Sequence, residues 1–411
     1  MKTVDYGDLR VGMTTTLDWV WDDSSSGSNR DGNIYNPHPA GDLLPIGSIG
    51  FRGHHNTEPR SGKRGVLLVG NVPGKSAACK HPTGYNLIWN DAGSGGKFDV
   101  SIWRPVAPDG YVAMGEYCSN SSTKPSVNAV WCIRQDYTAD GKFGPSWWDD
   151  RGSGAKMNGS FWGVDPQNIS LTGSEYVPIR TDTFYGKDST HTVPPPASLA
   201  KTLRLYVGSN YQDWRAPLPT FTIATLPYTG QEFSSKEQAS VALPYTVFFD
   251  PSDTRSVNKI ADPFVSISRS CCWHVGGVWR NGGEGPFERT LTIEYGISEE
   301  KSKSLTESAG VSITQDIGVS AGPFSSSVSM SLNYQMTTAS SHSRTEFSNK
   351  TVTEKFTVPA MTATAAFTRR MFYRSVRGDG SEVVADVGID ATDEVHFGSC
   401  KIPATASVKS D

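Results

Sequence analysis

The clearest alternation of apolar and polar positions lies between Ser308 and Ser343. Apolar side chains first occupy odd positions: Ala309, Val311, Ile313, Ile317, Val319 and Ala321. Between them stand Gly310, Ser312, Thr314, Asp316, Gly318 and Ser320. Gly322-Pro323 is a turn signal. Beyond it the apolar set is even: Phe324, Val328, Met330, Leu332, Tyr334 and Met336, alternating with Ser327, Ser329, Ser331, Asn333, Gln335 and Thr337. A period of two on both sides of a turn predicts an amphipathic hairpin, one strand from 309 to 321 and one from 324 to 336. The flanks Arg289–Tyr295 and Lys350–Val358 alternate as well, which predicts long strands carrying the hairpin.

Charge changes the meaning of that pattern. The 36 residues from Ser308 to Ser343 hold one formal charge, Asp316, in a chain that is 19% charged overall. The solvent face of a soluble sheet usually carries Lys and Glu, partly to block edge pairing. Here the polar face is Ser, Thr, Asn and Gln. Each arm has the ~9–11 residues of a tilted membrane-spanning strand. A lone hairpin in lipid leaves its edge amides unpaired, so several chains must close a barrel. In that reading the apolar set faces lipid. Ser312, Thr314, Asp316, Ser329, Ser331, Asn333 and Gln335 then line a watery lumen, where Asp316 stays hydrated and biases ion selectivity. The alternative is an ordinary hairpin with one face on a β-sandwich core.

A second regularity fills the N-terminal half. Trp21-Asp22-Asp23 leads through Ser24, Ser25, Ser26 and Gly27 to Ile34-Tyr35-Asn36-Pro37. Trp89-Asn90-Asp91 leads through Ala92-Gly93-Ser94-Gly95 to Ile102-Trp103-Arg104-Pro105. Trp148-Asp149-Asp150 leads through Arg151-Gly152-Ser153-Gly154 to Phe161-Trp162. In every copy 14 positions separate the first aromatic from the last. Each copy reads as a strand ending in Trp, an Asp/Gly/Ser turn, and a returning strand. A unit this short cannot bury a face alone. Three copies should close about a pseudo-threefold axis, as a β-prism or, second, a β-trefoil.

The turns have two readings. In one they are structural, plugged by aromatics. In the other they form surface sites for a glycan or lipid head group, with Trp21, Trp89, Trp103, Trp148 and Trp162 stacking and Asp22, Asp23, Asn90, Asp91, Asp149 and Asp150 satisfying hydroxyls. Calcium is the weaker option, because adjacent strand residues point apart and calcium wants six or more oxygens.

The second copy, Ile88-Trp89-Asn90-Asp91-Ala92-Gly93-Ser94-Gly95 followed by Asp99 to Gly115, resembles the vacuolar protein sorting-associated protein 62 family, over roughly residues 10 to 185. That family lends no defined activity. The first copy departs from its pattern, with Ser in place of Gly and Asn36-Pro37 in place of Arg-Pro.

Val193-Pro194-Pro195-Pro196 has no strand donors and favours an extended spacer. It divides the chain into a three-repeat domain (1–186), a Pro-rich linker (187–200) and a C-terminal module (201–411). In that module Ile260-Ala261-Asp262-Pro263-Phe264, then Cys272-Trp273, then the Thr-alternating strand and the Ser/Thr-rich hairpin follow the order of aerolysin-type β-pore-forming toxins, which residues 240 to 400 resemble. The resemblance implies an all-β, elongated sheet module. It implies a soluble monomer that binds a target-cell membrane through a glycan or lipid receptor, forms a homo-oligomer and inserts the hairpin. By analogy, insects are the expected target. The competing expectation is a lectin-like glycan-binding protein without pore activity.

Composition removes other classes. With 38 Lys and Arg against 42 Asp and Glu, the net charge of −4 gives no broad footprint for nucleic acid. Met1 to Asp8 holds no apolar core of a secretory signal, so release by another route or after processing is expected, with the target membrane as the destination. Cys79, Cys118 and Cys132 leave their pairing open. No metal, cofactor or catalytic constellation is expected. Gly318-Val319-Ser320-Ala321-Gly322 fits the hydrolase pattern but lies in a strand with no helix after it. Arg377-Gly378-Asp379 reads as a plain turn. His274 beside Cys271 and Cys272 reads as part of a packed aromatic strand.

Overall fold

The fold is that of a computed structural model, which describes residues 1–53, 63–167, 175–208, 212, 216–297, 311–314, 318–321, 349–378, 380, 387–390 and 395–403. It is all-β, as the alternation and turn-rich composition require. The first repeat contributes β1 (Val4–Tyr6), β2 (Leu9–Thr14), β3 (Leu17–Asp22), β4 (Gly32–Pro37), β5 (Ile49–Arg52) and β6 (Val66–Asn71). The second contributes β7 (Cys79–Lys80), β8 (Gly84–Asn90), β9 (Ser101–Val106), β10 (Tyr111–Val112), β11 (Tyr117–Ser119) and β12 (Cys132–Arg134). The third contributes β13 (Thr138–Asp149), β14 (Gly159–Pro166), β15 (Tyr176–Ile179), β16 (Phe184–Asp188) and β17 (Lys201–Tyr206).

These strands form two layers with the same threefold plan. In the upper layer each repeat gives one antiparallel sheet: β3-β4-β5, β8-β9-β11 and β13-β14-β16. In the lower layer the sheets are β1-β2-β6, β7-β12-β10 and β13-β17-β15. The long β13 serves both. Its first residues pair with β17, and the stretch from Gly141 pairs with β14. Three sheets about one axis make the β-prism.

The expected boundary needs correction. β17 lies beyond the proline run, yet it pairs with β13 and β15 and completes the third repeat. Residues 187–200 are therefore an internal connection that includes the short 3₁₀ turn Ala197–Leu199. The three-repeat module extends to Tyr206. A proline run forbids ladder hydrogen bonds only within itself; the strand after it is free to return to the sheet.

The C-terminal module is built on long strands. β18 (Glu232–Pro244), β19 (Phe264–Asn281), β24 (Thr362–Arg377) and β25 (Val387–Asp390) lie in that order, with β26 (His396–Lys401) also on β24. Between β19 and β24 in sequence come β20 (Phe287–Tyr295), β21 (Val311–Thr314), β22 (Gly318–Ala321) and β23 (Lys350–Val358). The short helix α1 (Thr254–Val257) is capped by Asp253, whose carboxylate accepts from the Ser256 amide. All six cysteines are thiols rather than disulfides.

The two modules share a core. Leu9, Val11, Leu67, Val69, Ile133, Val177 and Leu203 of the lower prism layer belong to the same buried cluster as Val241, Leu243, Tyr245, Phe264, Val265 and Ile267. The Tyr6 hydroxyl donates to the Ala242 carbonyl at 2.7 Å, and the Gly65 amide donates to the Tyr245 hydroxyl at 2.9 Å. Continuous apolar burial of this kind makes a stiff junction. No helix among the described residues is long and apolar enough to cross a membrane.

Candidate functional site

The repeated turns meet at one end of the prism. Trp21, Trp89 and Trp148 are each 1% exposed and form a triangle of rings with centroid separations of 6.3, 5.2 and 5.3 Å. What aims them inward is a register shift at the same place in every repeat, between Trp19 and Trp21, Leu87 and Trp89, and Ser146 and Trp148. A bulge rotates the following side chain off the simple alternation. Close backbone approach then seats the rings: a Cβ on Gly159 would stand 2.5 Å from Trp89 Cδ1, and one on Gly32 2.5 Å from Trp148 Cδ1.

The acidic residues serve the same construction. The Oδ1 atoms of Asp23, Asp91 and Asp150 accept from the amides of Gly32, Val100 and Gly159, nine residues on in each case. Asp22, Asn90 and Asp149 accept from the amide two residues on. The turns are also tied in a ring: Asn29 N to Arg151 O, Lys97 N to Ser24 O, and Lys156 N to Ala92 O, at 2.7 to 2.9 Å. Burial raises the Asp91 carboxyl above its ordinary range, partly offset by the Val100 amide. Burial also pushes Asp149 upward, but Arg151 and Arg30 outweigh it and hold that carboxyl low.

This overturns the receptor reading of these turns. A ring in the core cannot stack on a sugar. Trp103 and Trp162, at 8% and 7% exposure, are also packed, and their indole N–H groups donate to Ser119 Oγ and Ser160 Oγ. Asp22, Asp23, Asn90, Asp91, Asp149 and Asp150 spend their oxygens on the chain itself. The structural alternative holds. Among the described residues no group of three or more His, Cys, Asp or Glu could hold a metal ion.

In the C-terminal module, β20 and β23 pair antiparallel over nine consecutive positions without a bulge, from Phe287↔Val358 to Tyr295↔Lys350. The ribbon is two-faced. Phe287, Leu291, Ile293, Tyr295, Val352, Phe356 and Val358 are buried or half-buried on the side toward the large sheet, where Phe356 meets Trp279 edge-on at 4.6 Å. Glu288, Thr290, Thr292, Glu294, Thr351, Thr353, Lys355 and Thr357 are exposed. Among the described residues neither outer edge of the ribbon is paired.

The hairpin departs from its expected layout. β21 and β22 pair with each other, Val311↔Ala321, Ser312↔Ser320, Ile313↔Val319 and Thr314↔Gly318. The stretch 309–321 is thus not one straight strand. Ala309, Asp316, Ile317 and the whole return arm, Phe324, Val328, Ser329, Met330, Ser331, Leu332, Asn333, Tyr334, Gln335 and Met336, lie outside the described residues.

One structural feature had no signal in the sequence. The segment from Ala216 to Gln231 crosses the face of the large sheet. The Trp273 indole donates to the Ala216 and Pro217 carbonyls at 3.2 and 3.1 Å, and Phe221 packs on Phe367. Its Pro and Thr content reads as loop.

Residues 1–204 match the family model of vacuolar protein sorting-associated protein 62. No curated protein matches the chain. Among solved structures, GNIP1Aa from Chromobacterium piscinae is similar at a TM-score of 0.38 and 23% identity, over 46% of this chain and 35% of that one. Cry35Ab1 is similar at a TM-score of 0.35 and 11% identity, over 96% of this chain and 90% of that one. The chain spans about a third of the length of GNIP1Aa.

Proposed function

We propose that this chain, whose residues 1–204 match the vacuolar protein sorting-associated protein 62 model, is a β-pore-forming toxin. It is released as a soluble monomer, docks on a target-cell membrane, oligomerises and inserts the segment near 308–338 as a barrel. One observation carries the reading. The amphipathic segment near 308–338, whose one formal charge is Asp316, lies in sequence between Tyr295 and Lys350, the paired ends of the β20–β23 ribbon. Apart from Arg289, Lys350 and Glu354, the ribbon has the same apolar phase as that segment, odd on the outgoing strand and even on the returning one.

An isolated two-stranded ribbon is marginally stable in water, and its open edges present unpaired amides and carbonyls. A neighbouring copy satisfies them: β20 of one protomer pairs with β23 of the next, and the ring of ribbons closes. The stiff prism positions the ribbon above the membrane. A glycan or lipid receptor, with insects as the expected host, is read by a surface other than the Trp-Asp-Asp turns.

Dye release from vesicles made with target-membrane lipids tests this reading. Release with ring-shaped particles on the vesicles is expected. Intact vesicles with bound, monomeric protein would replace it with the lectin-like alternative.

A further inference from the structure

We infer that copies of this chain meet edge to edge two residues out of step with the pairing inside each ribbon, and that Glu288, Arg289, Glu354 and Lys355 set the step. The inference rests on the pore-forming reading and deepens its contact between β20 of one copy and β23 of the next. Inside the ribbon these four charges stand opposite uncharged residues: Glu288↔Thr357, Arg289↔Phe356, Leu291↔Glu354 and Thr290↔Lys355. All four are exposed. Among the described residues none of the four holds an ion pair. Arg289 instead lies over its neighbour Phe287, 4.4 Å from the ring centroid. Charges on an open strand edge keep wrong neighbours away and admit the one that answers them.

Few registers are open to the second copy. A slip of one residue would set the apolar side of one ribbon against the polar side of the next, so the slip is even. With the copies in step, no opposite charges meet. Two residues one way, Glu288 faces Lys355 and Arg289 faces Glu354, while Phe287 faces Phe356 and Leu291 faces Val352. Two residues the other way, Lys355 faces Thr292 and Glu354 faces Ile293. Glu294 and Lys350 meet no charge in any of the three and do not choose between them. The size of the step agrees with barrel geometry, which is independent of the charges. A strand residue rises about 3.3 Å, and neighbouring strands lie about 4.8 Å apart. Two residues per two-stranded ribbon therefore tilt the strands by about 35°, at the lower end of the tilt a closed barrel needs. Ribbons in step would stand upright, without the shear that closure requires.

Mixtures of single-cysteine proteins test this, in a Cys400→Ser background because the other five thiols are buried. Each mixture is oxidised on vesicles and read as covalent dimer on a non-reducing gel, so only links between copies count. Thr292→Cys mixed with Thr351→Cys should cross-link. Thr292→Cys with Thr353→Cys, the in-step pair, and Thr290→Cys with Thr357→Cys, the opposite step, should not. A dominant link in either of the last two, or no link in any mixture that releases dye, would overturn the register. Arg289→Glu sets like charges against each other at every contact of the ring and should raise the dose for half-maximal dye release about tenfold. Arg289→Glu/Glu354→Arg should restore the dose, and the thermal midpoint of the free protein should not move. An unchanged dose for Arg289→Glu would overturn the role of the charges. A parent protein that releases no dye overturns the pore reading and this contact with it, a result distinct from both.

Discussion

The indole N–H of Trp148 donates to Asp23 Oδ2 at 3.0 Å, joining the last repeat to the first across 125 residues of sequence. Both groups are buried. Replacing Asp23 by Ala leaves the indole donor and the Gly32 amide without their acceptor, which costs about 1–3 kcal/mol for each buried unmet group. Asp23→Asn keeps one acceptor oxygen and should lose less. Denaturant midpoints of the two variants check the order.

Trp89→Ala should destabilise the prism by about 3–5 kcal/mol, the usual cost of emptying a packed aromatic site. The loss should appear in the thermal midpoint. A platform for sugar would behave otherwise: the substitution would leave the midpoint unchanged and remove glycan binding.

Glu116 gives the prism a pH dependence of known sign. Its side chain is fully buried, accepts from Arg104 Nε at 3.1 Å and from the Gly186 amide at 2.9 Å. Burial raises its pKa above the ordinary 4.5, against the opposing pull of Arg104. The folded state therefore holds this proton at a pH where the unfolded chain has lost it. That contribution is complete below about pH 4.5 and is lost as pH rises through the folded pKa. Glu116→Gln should flatten this part of the stability profile, read as denaturant midpoints from pH 4 upward. An unchanged slope would contradict the assignment.

Tyr245 tests the junction between the modules. Its hydroxyl accepts from the Gly65 amide and donates to the Pro251 carbonyl at 2.5 Å. Tyr245→Phe removes both hydroxyl bonds while the Gly65 amide keeps the Pro251 carbonyl at 2.8 Å, so it should cost about 0.5–1.5 kcal/mol. Because the core is continuous across the junction, prism and sheet signals should still melt in one transition. Two separated transitions in the unmodified protein would contradict a shared core.

Much of this architecture was legible in the residues. Fourteen-position spacing from Trp21 to Tyr35, Trp89 to Trp103 and Trp148 to Trp162 announced three units, and alternation through Arg289–Tyr295 and Lys350–Val358 announced the ribbon. The destination of the tryptophans was not legible. A bulge before each one changes which way it points, and no residue type marks a bulge in these copies: Val20, Ile88 and Trp147 share only bulk. The proline run misled for a different reason, since composition reports local backbone freedom while the return of β17 to β13 is a long-range pairing. The pairing of β21 with β22 was hidden because Val311, Ile313, Val319 and Ala321 keep one odd-position apolar phase across both strands.

Conductance across a planar bilayer of target-membrane lipids tests the central claim most directly. The account predicts discrete, long-lived steps of uniform size, cation-preferring, with the preference weakened in Asp316→Asn. A silent bilayer to which the protein is demonstrably bound would contradict it.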